Sequence, residues 1–138
     1  MKVINLLIFG DQEGHILEEK QIFEHVSDYY DLLHETIRNK YNFLTGGMAE
    51  SLGLIESGRK KINLYKKMGK KFMEIYNHSY STKTIEELDN SIMDHIVRHN
   101  KTCELNNNTE DLMGQEDIVG NIYIFQFAGS DTTIHTTT

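Results

Sequence analysis

Ile118-Val119-Gly120-Asn121-Ile122-Tyr123-Ile124-Phe125-Gln126-Phe127-Ala128-Gly129-Ser130-Asp131-Thr132-Thr133 is the stretch on which the fold turns. Seven large apolar side chains stand between Ile118 and Phe127. Burying all seven is worth about 10–20 kcal/mol, at roughly 1.5–3 each. The net stability of a whole domain is about 5–15 kcal/mol. The segment is therefore expected at the centre of the structure. Two small residues, an acid and two hydroxyls close it, and polar groups carried into an interior need a reason. Periodicity leaves its conformation open. Residues 121–127 alternate well enough for a strand, and Tyr, Ile and Phe favour strands.

Outward from this stretch the pattern is helical. Phe23, Val26, Tyr30, Leu33 and Ile37 recur at spacings of three and four, one face of a helix over about Leu17 to Asn39. Thr45-Gly46-Gly47 and Leu52-Gly53 break that pattern and read as a loop. Ile62, Tyr65, Met68, Phe72 and Ile75 form a second stripe, ending near Asn77. Thr84 and Glu87 have the spacing of a capping box, before a third stripe of Ile85, Leu88, Ile92 and Ile96. Asn100 to Glu116 is polar and reads as an exposed loop, and the final element starts near Gly114 to Asp117. Proline is absent from the 138 residues, which favours long helices.

The length suits one domain, residues 1–138, with no visible linker or repeat. The net charge of −7 carries no global basic excess, so nucleic acid is not an expected partner. A single cysteine, Cys103, excludes an intramolecular disulfide and fits a reducing compartment. Val3 to Phe9 is apolar but interrupted by Asn5 and followed by Asp11-Gln12-Glu13, with no small-residue cleavage site. Neither a signal peptide nor a transmembrane helix, which needs about 20 apolar residues, is expected. Asn77, Asn100 and Asn107 head Asn-x-Ser/Thr triplets that read as chance occurrences in an Asn-rich chain.

Ala128-Gly129-Ser130-Asp131-Thr132-Thr133, approached through Glu116-Asp117-Ile118-Val119-Gly120-Asn121-Ile122, resembles the central long helix of the cytochrome P-450 family. These are haem-thiolate monooxygenases. Upstream order is similar too. Thr84 to Val97 resembles the short helix before the central one. Gly58 to Tyr76 and Leu17 to Tyr41 resemble the pair that roofs the substrate pocket. Leu6-Leu7-Ile8-Phe9-Gly10 resembles the end of the helix before that pair. The resemblance spans the chain, but only the 128–133 motif is specific.

The resemblance implies an all-α fold and makes helix the expected conformation of residues 118–133. On that helix Ile124, Phe127, Ala128, Asp131 and Thr132 share one stripe. In the family this face lies across the distal side of the haem. Ala128 and Gly129 would leave room for the haem, dioxygen and substrate, while Ile124 and Phe127 would wall the substrate. Thr132 matches the family's hydroxyl, which would donate a hydrogen bond at the oxygen site and hold a water. Asp131 matches the neighbouring acid, which would link that water to a surface proton path. The implied activity is insertion of an oxygen atom from dioxygen into a lipophilic substrate, with electrons from a reductase. The implied place of the parent enzyme is the cytosolic face of the endoplasmic reticulum membrane.

The family's Glu-x-x-Arg helix and haem-ligating cysteine loop have no counterpart in these residues. Cys103, in Asn100-Lys101-Thr102-Cys103-Glu104-Leu105, lacks their context and is not expected to hold iron. The chain thus reads as an internal fragment of such an enzyme, inactive alone. A reading of another class stands beside it. Arg59, Lys60, Lys61, Lys66, Lys67, Lys70 and Lys71 make a basic amphipathic helix with no acid from Ser57 to Phe72. A small helical module could bind a partner or membrane surface through it, although a solvated face covering core residues is the blander account. His95 and His99 have metal-ligand spacing on a helix but lack a completing acid or cysteine. His135, one turn past the motif, reads as structural.

Overall fold

Without proline to interrupt them, the amphipathic stripes close as helices. The computed structural model describes the backbone of residues 2–10, 19–88 and 90–136, and the side chains of 2, 3, 5, 19–23, 26, 36 and 130–136 lie outside that description. The structure is all-α: helix covers 79% of the described residues, and none of them lies in a strand. The elements are α1 (Lys2–Phe9), α2 (Glu19–Arg38), α3 (Lys40–Leu44), α4 (Met48–Ser51), α5 (Glu56–Thr82), a 3-10 turn (Ile85–Glu87), α6 (Ile92–Leu105) and α7 (Gln115–Thr136). The strand reading of residues 121–127 is thereby excluded. No helix of the described residues is long and apolar enough to cross a membrane. The side chains of Phe23 and Val26 of the first stripe, and residues His15 and Asp11 to Glu13, fall outside what is described.

The chain forms two compact units, residues 1–19 with 71–138, and residues 20–70. The larger is built around Phe72, which has no exposed surface. Its ring lies 5.8 Å from that of Phe9 and 5.6 Å from that of Tyr123, the latter edge-on at 73°. Ile8, Ile75, Met93, Val97, Ile118 and Ile122 are buried in the same unit. α5 runs to Thr82 rather than stopping near Asn77. The Ser81 and Thr82 hydroxyls donate back to the Asn77 and His78 carbonyls at 2.9 and 2.7 Å, so these polar residues extend the helix.

The third stripe is not one helix. The Glu87 carboxylate accepts from the Thr84 N–H at 2.8 Å and its hydroxyl at 3.0 Å, but this closes only one 3-10 turn. α6 starts afresh at Ser91, whose Oγ accepts from the Asp94 N–H at 3.1 Å. Asp94 is fully buried and paired with Lys83 Nζ at 2.7 Å. Asn100 and Cys103 belong to α6, not to an exposed loop, and both are buried. Met93, Ile96, Val97, Asn100 and Cys103 keep the three-and-four spacing, so one helix face runs straight through the polar stretch. A buried Asn100 is also closed to modification in the folded chain.

In the smaller unit the glycine-marked loop is two short helices. Asn39 Oδ1 caps α3 by accepting from the Tyr41 and Asn42 N–H groups at 3.0 and 3.3 Å. Gly46, Gly47 and Gly53 take φ of +59°, +90° and +65°, turns that side chains rarely allow. α4 is pressed on the start of α5 at Gly58. A Cβ there would stand 2.7 Å from the Glu50 carbonyl oxygen and 2.9 Å from its Cα. Gly58→Ala should therefore destabilise the chain by about 1–3 kcal/mol, because overpacking against backbone outweighs the ~1 kcal/mol that alanine adds to a helix. A urea midpoint that rises would contradict this contact.

His25 of α2 is buried, and burial pulls its pKa from 6.5 down to about 4, with Asp28 opposing the shift and Lys67 adding to it. Between those values the unfolded chain binds the proton and the folded one does not. The neutral-histidine contribution is thus intact above pH 6.5 and declines as pH falls towards 4. Urea midpoints from pH 7 to 4, compared between the native chain and His25→Gln, should show a steeper acid loss in the native chain.

Candidate functional site

α7 carries the motif, and its entry is set by α6. Asn100 Oδ1 accepts from the Met113 N–H at 2.9 Å, and Nδ2 donates to the Met113 carbonyl at 3.1 Å and to Tyr76 Oη at 2.9 Å. Burial raises the Tyr76 pKa, against the opposing hydrogen bond from Asn100. The Gly114 N–H donates to Asp117 Oδ2 at 3.2 Å, and Glu116 and Asp117 place negative charge in the first turn, where the helix dipole favours it.

From there the helix is two-faced. Ile118, Val119, Ile122, Tyr123 and Gln126 are buried. Ile124 is 66% exposed, Phe125 is 46% exposed, and Ala128 is exposed. The expectation that all seven apolar side chains are buried is therefore corrected. Neighbouring helices cover one side of α7 and leave the other open.

The open side is where most of the expected stripe falls. Ile124 and Ala128 are one turn apart on it, and in helical register positions 131 and 132 continue it. The backbone of Asp131 and Thr132 is helical, while their side chains, like that of His135, lie outside the described set. Phe127 is half-buried at the flank, stacked on Tyr123 at 5.2 Å and 16°. Gly129 turns towards α1, where a Cβ would stand 3.0 Å from Ile4 Cγ2. Ile124, Ala128 and the register of 131 and 132 are thus brought together, with Phe127 beside them and Gly129 serving a close helix contact.

Cys103 is buried in α6, its Sγ 3.6 Å from His99 Nε2 and 3.9 Å from the Asp111 carbonyl. His99 Nε2 also lies 2.9 Å from that carbonyl. His95 is exposed, and no three His, Cys, Asp or Glu side chains converge among the described residues. Elsewhere in the unit, a hydrogen bond to Glu104 pushes the Tyr80 pKa up to about 12, with Lys101 Nζ 5.0 Å over the ring.

No relative comes forward. The chain matches no family model, no curated protein and no solved structure. The residues present therefore speak through their own chemistry. A small, apolar, open helix face leaves room for a planar apolar group beside Ile124 and Ala128.

Asn100, which the sequence pattern had placed in a loop, organises the α7 entry. Asn100→Ala leaves Tyr76 Oη and both Met113 backbone groups without their side-chain partner. At about 1–3 kcal/mol for each buried group left unsatisfied, the loss should be about 3 kcal/mol or more, with amide exchange at Met113 accelerated. Native-state exchange and urea denaturation together measure it. A change under ~1 kcal/mol would mean that water replaces the amide.

Proposed function

We propose that this chain forms the distal wall and part of the pocket of a haem-dependent monooxygenase acting on a lipophilic substrate. The observation that carries the reading is the open face of α7. An otherwise core-packed helix presents Ile124 and Ala128 outward, in register with the acid and hydroxyl of positions 131 and 132. When bound, the haem would supply oxygen activation, with electrons from a reductase. Ile124 and Phe127 would exclude water and orient the substrate. Ala128 would keep the space beside them clear, since any larger side chain would fill it. Thr132 Oγ1 would hold a water by hydrogen bonding, and the Asp131 carboxylate would pass protons to it from bulk solvent. Gly129 would let α1 and α7 approach closely and so fix the height of this wall. The parent enzyme would sit at the cytosolic face of the endoplasmic reticulum membrane.

A second reading has its own observation. Lys60, Lys66, Lys67 and Lys70 are all exposed on α5, a basic face suited to a small interaction module. The two separate cleanly on expression of the whole reading frame that encodes these residues, with haem precursor supplied. The monooxygenase reading expects a thiolate-type carbon monoxide spectrum after reduction. Thr132→Ala should keep that spectrum, lower product formed per nicotinamide consumed, and divert electrons to peroxide. Proton delivery by a positioned side chain is worth about 10²–10⁴-fold, so turnover should fall by about 10²-fold or more. Ala128→Phe should keep the spectrum and abolish the substrate-induced shift. Unchanged coupling and substrate binding in both variants would remove α7 from the reaction.

A further inference from the structure

α6 brings a thiol and an imidazole to one point. His99 and Cys103 stand one turn apart on the same face of the helix, and Cys103 Sγ lies 3.6 Å from His99 Nε2. A third donor comes from outside the helix. The Asp111 carbonyl oxygen lies 2.9 Å from His99 Nε2 and 3.9 Å from Cys103 Sγ. His99 is four residues from His95 and four from Cys103. It is the cysteine that meets its ring.

These separations suit one shared ion. Tetrahedral zinc holds a thiolate sulfur at about 2.3 Å and an imidazole nitrogen at about 2.0–2.1 Å, which sets the two donors about 3.6 Å apart. The observed pair is 3.6 Å apart. The carbonyl oxygen is close enough to both to face the same ion. Thiolate with imidazole selects an ion of the zinc type. Calcium, which takes about six to eight oxygen donors, would find one here.

The third donor is in place before any ion arrives. Asn107 takes φ of +55°, and the Asn108 N–H donates to the Cys103 carbonyl at 2.9 Å, so the chain turns back directly after α6. Asn108 Nδ2 donates to the Asp111 carboxylate, and two residues further on Asn100 holds Met113. Asp111 is thus fixed from both sides. Cys103 is buried but His99 is exposed, which gives an ion its entry. Residues 104–117 carry five acids and no lysine or arginine, a field that gathers cations.

We propose that His99 Nε2, Cys103 Sγ and the Asp111 carbonyl form a zinc site whose remaining position is open to water. On binding, the thiol releases its proton to solvent. The imidazole proton moves from Nε2 to Nδ1, and the ion replaces the hydrogen bond between His99 and Asp111. With only two side-chain ligands the site is exchangeable, unlike the closed four-ligand structural sites. It ties the turn after α6 to that helix and, through Met113, bears on the entry of α7. The site stands whether or not α7 serves a haem.

The test uses cobalt(II) as the probe, with the full chain kept reduced by a phosphine. Cys103 is the single cysteine, so a near-ultraviolet sulfur-to-cobalt charge-transfer band reports that thiolate alone. One equivalent of Co²⁺ should produce the band, and Zn²⁺ should abolish it. His99→Gln should weaken binding by at least about tenfold, a loss already reached when only the hydrogen bond supporting a ligand is removed. His95→Gln should leave binding unchanged. Both histidines are exposed, so far-ultraviolet circular dichroism should not change. Absence of the band, a band that His99→Gln leaves intact, or one ion shared by two chains would overturn the proposal. So would equal losses from the His95 and His99 changes.

Discussion

Phe72 stands between Phe9 and Tyr123, and Tyr123 in turn stacks on Phe127. These rings tie α1, the second half of α5 and α7 into one body. Removing a buried Phe costs about 3–5 kcal/mol, a large part of the about 5–15 kcal/mol that holds an ordinary domain together. The same contacts decide what α7 can offer. With Tyr123 fixed edge-on to Phe72, the rotation of α7 about its axis is fixed. Ile118, Val119, Ile122 and Gln126 must then face inward, and Ile124 and Ala128 must face outward.

Helix was legible wherever apolar residues alternate with charged ones. The stripes of α2 and α5 are read directly from Tyr30, Leu33, Ile37 and from Ile62, Met68, Phe72, Ile75. Helix ends were harder, because serine, threonine and asparagine have two uses. Ser81 and Thr82 bond back to their own helix and extend α5, whereas Ser91 caps a new helix. Asn100 looks like loop composition but satisfies three buried groups at once. Its position in the Met93–Val97–Asn100 spacing was the available signal. Polarity hid it, since a buried amide is favourable only where partners wait for it, and those partners, Tyr76 and Met113, are remote in sequence.

The helical conformation of residues 118–133 agrees with the all-α expectation, but which face of that helix packs was not legible. Apolar residues surround α7 on almost every side, so no periodic pattern distinguishes the side that packs. The rotation is set by contacts from Phe72 and Ile4, which no local pattern in residues 115–136 encodes. Hence Gly129, adjacent in sequence to Ala128, turns to Ile4 while Ala128 stays exposed. A glycine beside an alanine serves helix contact on one side and open space on the other.

Two apolar surfaces are left open, and their chemistry differs in a way that bears on their use. The α7 face is narrow, holds small residues beside Ile124, and runs towards an acid and a hydroxyl with no lysine or arginine between Gln115 and Thr136. The 37–54 surface holds large residues, no acid beyond the paired Glu50, and Arg38 and Lys40 beside Phe43 and Leu44. The two surfaces therefore differ in both side-chain size and charge: small and uncharged beside Ile124, large and flanked by cations beside Phe43.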